Sequence, residues 1–255
     1  MQRKFFEVSE MLPYATFNEI HIGPVTFYVW GIMVALGILV GLILASREAK
    51  RKKLDPEEIY NIGIISVVSG ILGARLVFAL ENPGALTSFW DFFRVWEGGL
   101  AFHGGFLGAL GVGFLYIKIK KLDFPKYLDT LAPSIAIGHA IGRIGCILTG
   151  LHLGKETTSP LGVYYDGTVR HLTPLYEMVG LIVLFVILMK IRGKEGIENK
   201  DGFLFAIYLT SYSALRFVVE FFRADPVYYG LTIAQYITAV LFLAGVSIIF
   251  LKARK

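Results

Sequence analysis

The chain of 255 residues is 55% hydrophobic and 18% charged, with a mean hydropathy of +0.61. An average soluble domain carries about 25% charged residues, so this balance excludes an ordinary soluble protein and points to a membrane protein. The net charge of +5 does not indicate nucleic-acid binding, because the basic residues fall in the connections between apolar runs.

Residues 1–23 hold no continuous apolar stretch of the kind found in a cleaved signal peptide, and are expected to form an arm at the membrane surface. Beyond them, apolar runs predict seven spans at 24–45, 58–81, 100–121, 126–148, 172–192, 202–222 and 231–251, each long enough for a hydrocarbon core of about 30 Å. An odd number of spans places the termini on opposite sides. The connections "SREAKRKKLDPEE", "KIKKLDFPK" and "KIRGKEGIENKDG", with the tail "KARK", hold sixteen of the 25 Lys and Arg residues, and the other side holds six. The positive-inside rule then puts the C-terminus in the cytoplasm and the N-terminus outside. The expectation is an all-α polytopic protein with one integral membrane domain over residues 1–255. Its longer outer connections are about 82–98 and 149–171, the latter a small external cap. No internal repeat is apparent.

Three arginines remain inside the spans: Arg75, Arg143 and Arg216. Counting back from the outer end puts each about six residues deep, roughly 9 Å below the boundary. An arginine at a helix centre costs about 2.5–3.5 kcal/mol to insert, so the three need partners. Glu177 and Glu220 lie near that level, and three positive against two negative charges leave an excess that an anionic ligand would satisfy. Structural ion pairs with outward snorkelling are the plainer alternative. In span six, Tyr212, Arg216, Glu220 and Arg223 recur at spacings of four, four and three and share one helical face. In span four, His139, Arg143 and Cys146 likewise share a face, beside Gly138, Gly142 and Gly145, which permit a close helix approach.

His103 stands near the outer end of span three with Gly104, Gly105 and Gly108 beside it; a histidine can exchange a proton near neutral pH, which suits acid–base or substrate-orienting work. Guanidinium groups at this depth match phosphate oxygens with a bidentate fork, so Arg143 reads as a ligand for a phospholipid headgroup. There is no phosphate-binding loop and no His-Glu-x-x-His zinc motif. His152 and His171 flank the outer connection at a separation too large to argue a metal site, and no cofactor is expected. Cys146, the single cysteine, lacks an adjacent base at the spacing a Cys–His pair requires and is not expected to be a nucleophile.

The stretches "GARLVF" (73–78), "EGGLAFHGGFLG" (97–108), "GHAIGRIGC" (138–146), "PLYE" (174–177), "RFVVEFFR" (216–223) and "LTIAQ" (231–235) together resemble the phosphatidylglycerol–prolipoprotein diacylglyceryl transferases of bacterial membranes, in the family's order. The resemblance covers spans two to seven. It implies a transferase of lipoprotein biosynthesis that moves a diacylglyceryl group from phosphatidylglycerol to the lipobox cysteine of a prolipoprotein, releasing glycerol phosphate. It also implies a multi-pass inner-membrane enzyme with its site toward the outer leaflet. By resemblance His103, Arg143, Arg216 and Glu220 are catalytic, and Tyr212, Gly154, Arg75, Arg223 and Gly104 bind substrate beside Arg143 and Arg216.

The family's common form "GRxGNFxNGExxG" is here "GRIGCILTGLHLG", with Cys146, Thr149 and Leu151 in place of asparagine, asparagine and glutamate. Trp30 stands where many members have tyrosine. These changes thin the polar constellation and leave open a divergent member with a changed substrate. The competing class is a non-catalytic lipid transporter or scramblase, for which the sequence shows neither inverted repeats nor paired broken helices.

Overall fold

The computed structural model describes residues 14–23, 25–85, 87–95 and 98–254. In chain order these form β1 (Glu19–Ile22), β2 (Val25–Tyr28), α1 (Val29–Arg51), α2 (Pro56–Glu81), a 3₁₀ helix at Phe89–Phe93, α3 (Phe102–Ile119) and α4 (Phe124–Thr149). There follow β3 (Gly162–Tyr165), β4 (Thr168–His171), α5 (Thr173–Ile191), α6 (Glu195–Glu198), α7 (Phe203–Glu220), β5 (Val227–Tyr228), β6 (Leu231–Thr232) and α8 (Ile233–Ala253). Seven of the helices, all but α6, are long and apolar enough to cross a membrane. Most of their apolar surface faces outward: Leu107 is 67% and Val240 66% exposed, as lipid-covered helices require. The protein is a polytopic, mainly helical membrane protein.

The first span begins later than expected. Residues 25–28, "VTFY", pair antiparallel with β1, Glu19 opposite Tyr28; β-branched and aromatic residues favour the pleated ribbon, so α1 runs from Val29 to Arg51 rather than over 24–45. Of the N-terminal arm, residues 1–13 lie outside the described residues. The described part is tied to the end of α4, with the Tyr14 hydroxyl on the Ile147 carbonyl and Phe17 N on Leu148 O at 2.8 Å.

The chain forms two compact units. Unit 2 is Leu42–Tyr127, and unit 1 comprises the described residues through Gly41 together with those from Leu128 onward. In unit 2, α2 starts on Asp55, whose carboxylate accepts from Glu57 N at 2.9 Å, with proline in its first turn. It meets α3 along a seam of small residues. A Cβ at Gly73 would sit 2.4 Å from Gly104 O, and one at Gly108 2.4 Å from Ser69 O, so only glycine allows this approach.

In unit 1, Gly37 of α1 and Gly138 of α4 meet in the same way, with a Cβ at Gly37 2.5 Å from Gly138 O. The buried Asp129 carboxylate on α4 accepts from Gly202 N and Phe205 N, both at 2.7 Å, and thereby caps α7. A cluster of Ala132, Ala136, Leu184, Leu188, Leu204 and Tyr208 locks α4, α5 and α7 together. The connections after α4 and after α7 carry hairpins. β3 and β4 turn through Asp166 and Gly167, at φ of 48° and 80°, as a type I′ turn demands. β5 and β6 turn through Tyr229 and Gly230, at 49° and 92°.

Candidate active site

The apolar cluster of unit 1 ends at Tyr208, whose ring stacks on Tyr212 one turn further along α7, with centroids 5.9 Å apart and planes at 4°. Above that ring the interior becomes polar. Glu177 of α5, 1% exposed, is the hub. A Cβ at Gly180 would lie 2.4 Å from Leu215 Cδ1, so α5 and α7 press together beside Glu177 and bring Arg216 to it. Glu177 Oε1 accepts from Arg143 Nη2 at 3.0 Å and from the Tyr212 hydroxyl at 3.2 Å, and lies 3.5 Å from His139 Nε2. Its other oxygen is 3.8 Å from Arg216 Nη1. Three helices therefore converge on one carboxylate.

A second carboxylate extends the network outward. Arg216 Nη2 lies 2.7 Å from Glu220 Oε2, and Thr232 Oγ1 donates to Glu220 Oε1 at 2.9 Å. Thr232 also caps α8 in a reciprocal box with Gln235, which fixes the hydroxyl that orients Glu220. Arg223 Nε meets Asp225 Oδ2 at 2.7 Å and Glu220 Oε2 at 3.5 Å. Outside the span, Asp225 is held below the usual carboxylate range by its hydrogen bond and charge contact with Arg223, against a larger opposing push from burial.

The expected charge excess is corrected by these contacts. Arg223 and Asp225 join the cluster, and with Arg143, Arg216, Glu177 and Glu220 they give three cations and three carboxylates. Three buried atoms of the cluster make no hydrogen bond among the described residues: two guanidinium nitrogens and the acceptor Glu220 Oε2, which is held by ion pairs alone. Arg143 Nε and Arg216 Nη1 are buried with no hydrogen-bond partner among the described residues. A buried unsatisfied donor costs about 1–3 kcal/mol, and two guanidinium N–H groups flanking one carboxylate suit the oxygens of a bound oxyanion. Beside Arg143, a Cβ at Gly142 would meet nothing within 4 Å, so Gly142 leaves open space where a packing contact was expected. Gly138 and Gly145 make such contacts, against Gly37 and against Trp30 and Met33.

The remaining expected residues fall into two groups. Gly154 is tied to its surroundings by backbone: it pairs with Arg223, its N–H donates to His171 O at 2.8 Å, and a Cβ there would lie 2.3 Å from Phe222 O. The others lie in unit 2. Arg75 donates from all three nitrogens to carbonyls: Nε to Phe92 O at 3.2 Å, Nη1 to Gly98 O and to Gly99 O at 3.0 Å, Nη2 to Asp91 O and to Arg94 O at 3.3 Å. Gly104 sits in the α2–α3 seam, where a Cβ would be 2.2 Å from Gly73 O. His103 is exposed in the first turn of α3, its ring edge-on to Phe102 at 5.9 Å, and among the described residues its imidazole has no hydrogen-bond partner.

A profile described as Prolipoprotein diacylglyceryl transferase matches residues 18–251. The chain belongs to the prolipoprotein diacylglyceryl transferase family. Relatives named phosphatidylglycerol–prolipoprotein diacylglyceryl transferase include enzyme 1 of Clostridium perfringens, 33% identical over 88% of this chain and 90% of the relative. Another is from Clostridioides difficile, 33% identical over 85% and 87% respectively. A third, from Bacillus licheniformis, is 35% identical over 89% of both. Within this member of the family, the hub role of Glu177 is what sequence reasoning missed: its charge and depth were legible, but not that α4 and α7 both reach it. Thr232 and Asp225 were missed because neither lies on the polar helical faces. The capping pattern Thr-Ile-Ala-Gln at 232–235 was the available signal for Thr232.

Proposed function

We propose that this chain transfers a diacylglyceryl group from phosphatidylglycerol to the lipobox cysteine thiol of a prolipoprotein, forming a thioether and releasing glycerol phosphate. Family membership and the names of its relatives support the reaction. The observation that carries it to particular residues is the pair of buried donors, Arg143 Nε and Arg216 Nη1, that make no hydrogen bond among the described residues. In this reading the acceptor sulfur attacks the glycerol carbon esterified to phosphate, and the C–O bond breaks with its electron pair on the departing phosphate. Arg143 and Arg216 stabilise that charge, Glu177 and Glu220 hold the two guanidinium groups in place, and Tyr212 fixes Glu177. His103 is assigned to assist deprotonation of the acceptor thiol, directly or through water. Arg223 anchors Asp225 and Glu220 at the rim. Arg75 and Gly104 hold the backbone of unit 2, and Gly154 holds that of unit 1 beside Arg223. Cys146, whose Sγ lies 3.9 Å from Arg143 Nη1, is assigned no covalent role, since the acceptor supplies its own thiol.

We further infer one integral membrane domain in a bacterial cytoplasmic membrane, N-terminus outside and site toward the outer leaflet. Basic residues in the last turns of α1, α3, α5 and α8 support this topology. The test is mass spectrometry of a lipobox peptide incubated with purified protein and phosphatidylglycerol. A diacylglyceryl adduct on the peptide cysteine is expected; lipid movement without any adduct would overturn the reading.

A further inference from the structure

The buried network atoms that make no hydrogen bond among the described residues are of two kinds: the donors Arg143 Nε and Arg216 Nη1, and the acceptor Glu220 Oε2. The donors are accounted for by a phosphate. The acceptor calls for a group with a hydrogen to give. Glu220 is 2% exposed, and its surroundings fix which of its oxygens is left for a ligand.

Thr232 Oγ1 accepts from Gln235 N at 3.2 Å and lies 2.9 Å from Glu220 Oε1. A carboxylate only accepts, so the single hydroxyl hydrogen of Thr232 must point at Oε1. Gln235 locks this arrangement from α8: its Oε1 accepts from Thr232 N at 3.0 Å, and its Nε2 donates to Phe217 O of α7 at 3.4 Å. Thr232 and Gln235 are both buried. Oε1 of Glu220 is therefore committed. Oε2 has Arg216 Nη2 at 2.7 Å and Arg223 Nε at 3.5 Å, as ion pairs without hydrogen-bond geometry. Arg223 spends its Nε–H on Asp225 Oδ2 instead, at 2.7 Å.

The Arg216 guanidinium joins the two kinds of vacant group, with Nη1 on the Glu177 side and Nη2 on the Glu220 side. Two donors and one acceptor so linked are the complement of a phosphate that carries a hydroxyl a short way along its ester chain. We infer that Glu220 Oε2 is a specificity-determining contact of the donor site, accepting a hydroxyl of the headgroup glycerol while Arg143 Nε and Arg216 Nη1 hold the phosphate oxygens; the inference rests on the transfer reaction proposed above. A headgroup without a hydroxyl leaves Oε2 desolvated and without a donor, and a site built around such a group rejects the analogue that lacks it. A quaternary ammonium has no hydrogen to offer. A primary ammonium has, but it would set a cation against Arg216 and Arg223. A hydroxyl is neutral and donates, so it fits.

The experiment uses the full-length protein in phosphatidylcholine vesicles with a lipobox peptide and one of two donors of identical acyl chains. These are phosphatidylglycerol and phosphatidylpropanol, whose headgroup has no hydroxyl. Wild-type kcat/KM for adduct formation should be at least about tenfold higher with phosphatidylglycerol. Glu220→Gln should bring that ratio toward one whatever its residual turnover: the Thr232 hydroxyl holds the amide oxygen at the Oε1 place, which turns the amide NH2, a donor, toward the headgroup. A comparison that needs no variant is inhibition of the wild type, where glycerol phosphate should act about tenfold more strongly than propyl phosphate. Equal use of the two donors by the wild type, or equal inhibition by the two phosphates, would overturn the inference. So would an active Glu220→Gln that keeps the full preference. A wild-type protein that forms no adduct with either donor would instead defeat the transfer reaction itself.

Discussion

Arg75 and Arg143 occupy equivalent places in the sequence, each about six residues from the C-terminal end of an apolar span, yet the protein treats them differently. In unit 2 the Arg75 guanidinium is saturated by carbonyls of residues 91–99, and the connection folds around it. In unit 1, Arg143 and Arg216 lean on carboxylates and each keeps a buried donor without a hydrogen bond among the described residues. A charge enclosed by fixed dipoles is complete as built, whereas one set against a counter-charge with donors to spare is ready for a further oxygen. The depth of an intramembrane arginine signals that it has a task; its partners tell which task.

The comparison breaks most visibly at Glu177. Glu177→Gln keeps the shape but removes the charge shared by Arg143, Arg216 and His139. Losing one partner of a buried ion pair costs about 3–5 kcal/mol, so turnover and thermal resistance in detergent should both fall steeply, measured by peptide-adduct yield and melting. Arg75→Lys sharpens the contrast. It should cost about 2 kcal/mol of stability through lost carbonyl contacts, seen as a lower melting point, while turnover of the folded fraction stays near wild type. A selective loss of turnover would place Arg75 with the ligand-holding arginines. The smallest effect is expected from Cys146→Ser. The thiol is buried and 3.9 Å from Arg143 Nη1, and peptide-adduct formation should remain close to wild type.

The seven spans were legible because lipid-facing helices are apolar all round, and six of the seven began within three residues of their expected starts. The first did not, since hydropathy cannot distinguish the strand residues Val25–Tyr28 from the apolar start of a helix. The hairpins at 162–171 and 227–232 went unseen for a related reason: they are short, and their turns depend on left-handed Asp166 and Tyr229, which only the Asp-Gly and Tyr-Gly pairs hint at. Helical spacing found the faces carrying Arg143 and Arg216, since three- and four-residue steps align on one helix. It could not find the convergence on Glu177, which depends on how α4, α5 and α7 dock. Nor could spacing show that Arg75 would be met by backbone carbonyls.

The central claim is that Arg143 and Arg216 hold the donor phosphate through planar, two-pronged contacts. Its most direct test is single-turnover kinetics of Arg143→Lys and Arg216→Lys with phosphatidylglycerol binding measured in parallel, because lysine keeps the charge and loses the fork. Each variant should lose more than about tenfold in rate, equivalent to about 1.4 kcal/mol. Donor affinity should change less, as charge on the leaving phosphate develops most fully in the transition state. Near-wild-type turnover by both well-expressed lysine variants would contradict the claim and leave the two arginines as structural ion pairs.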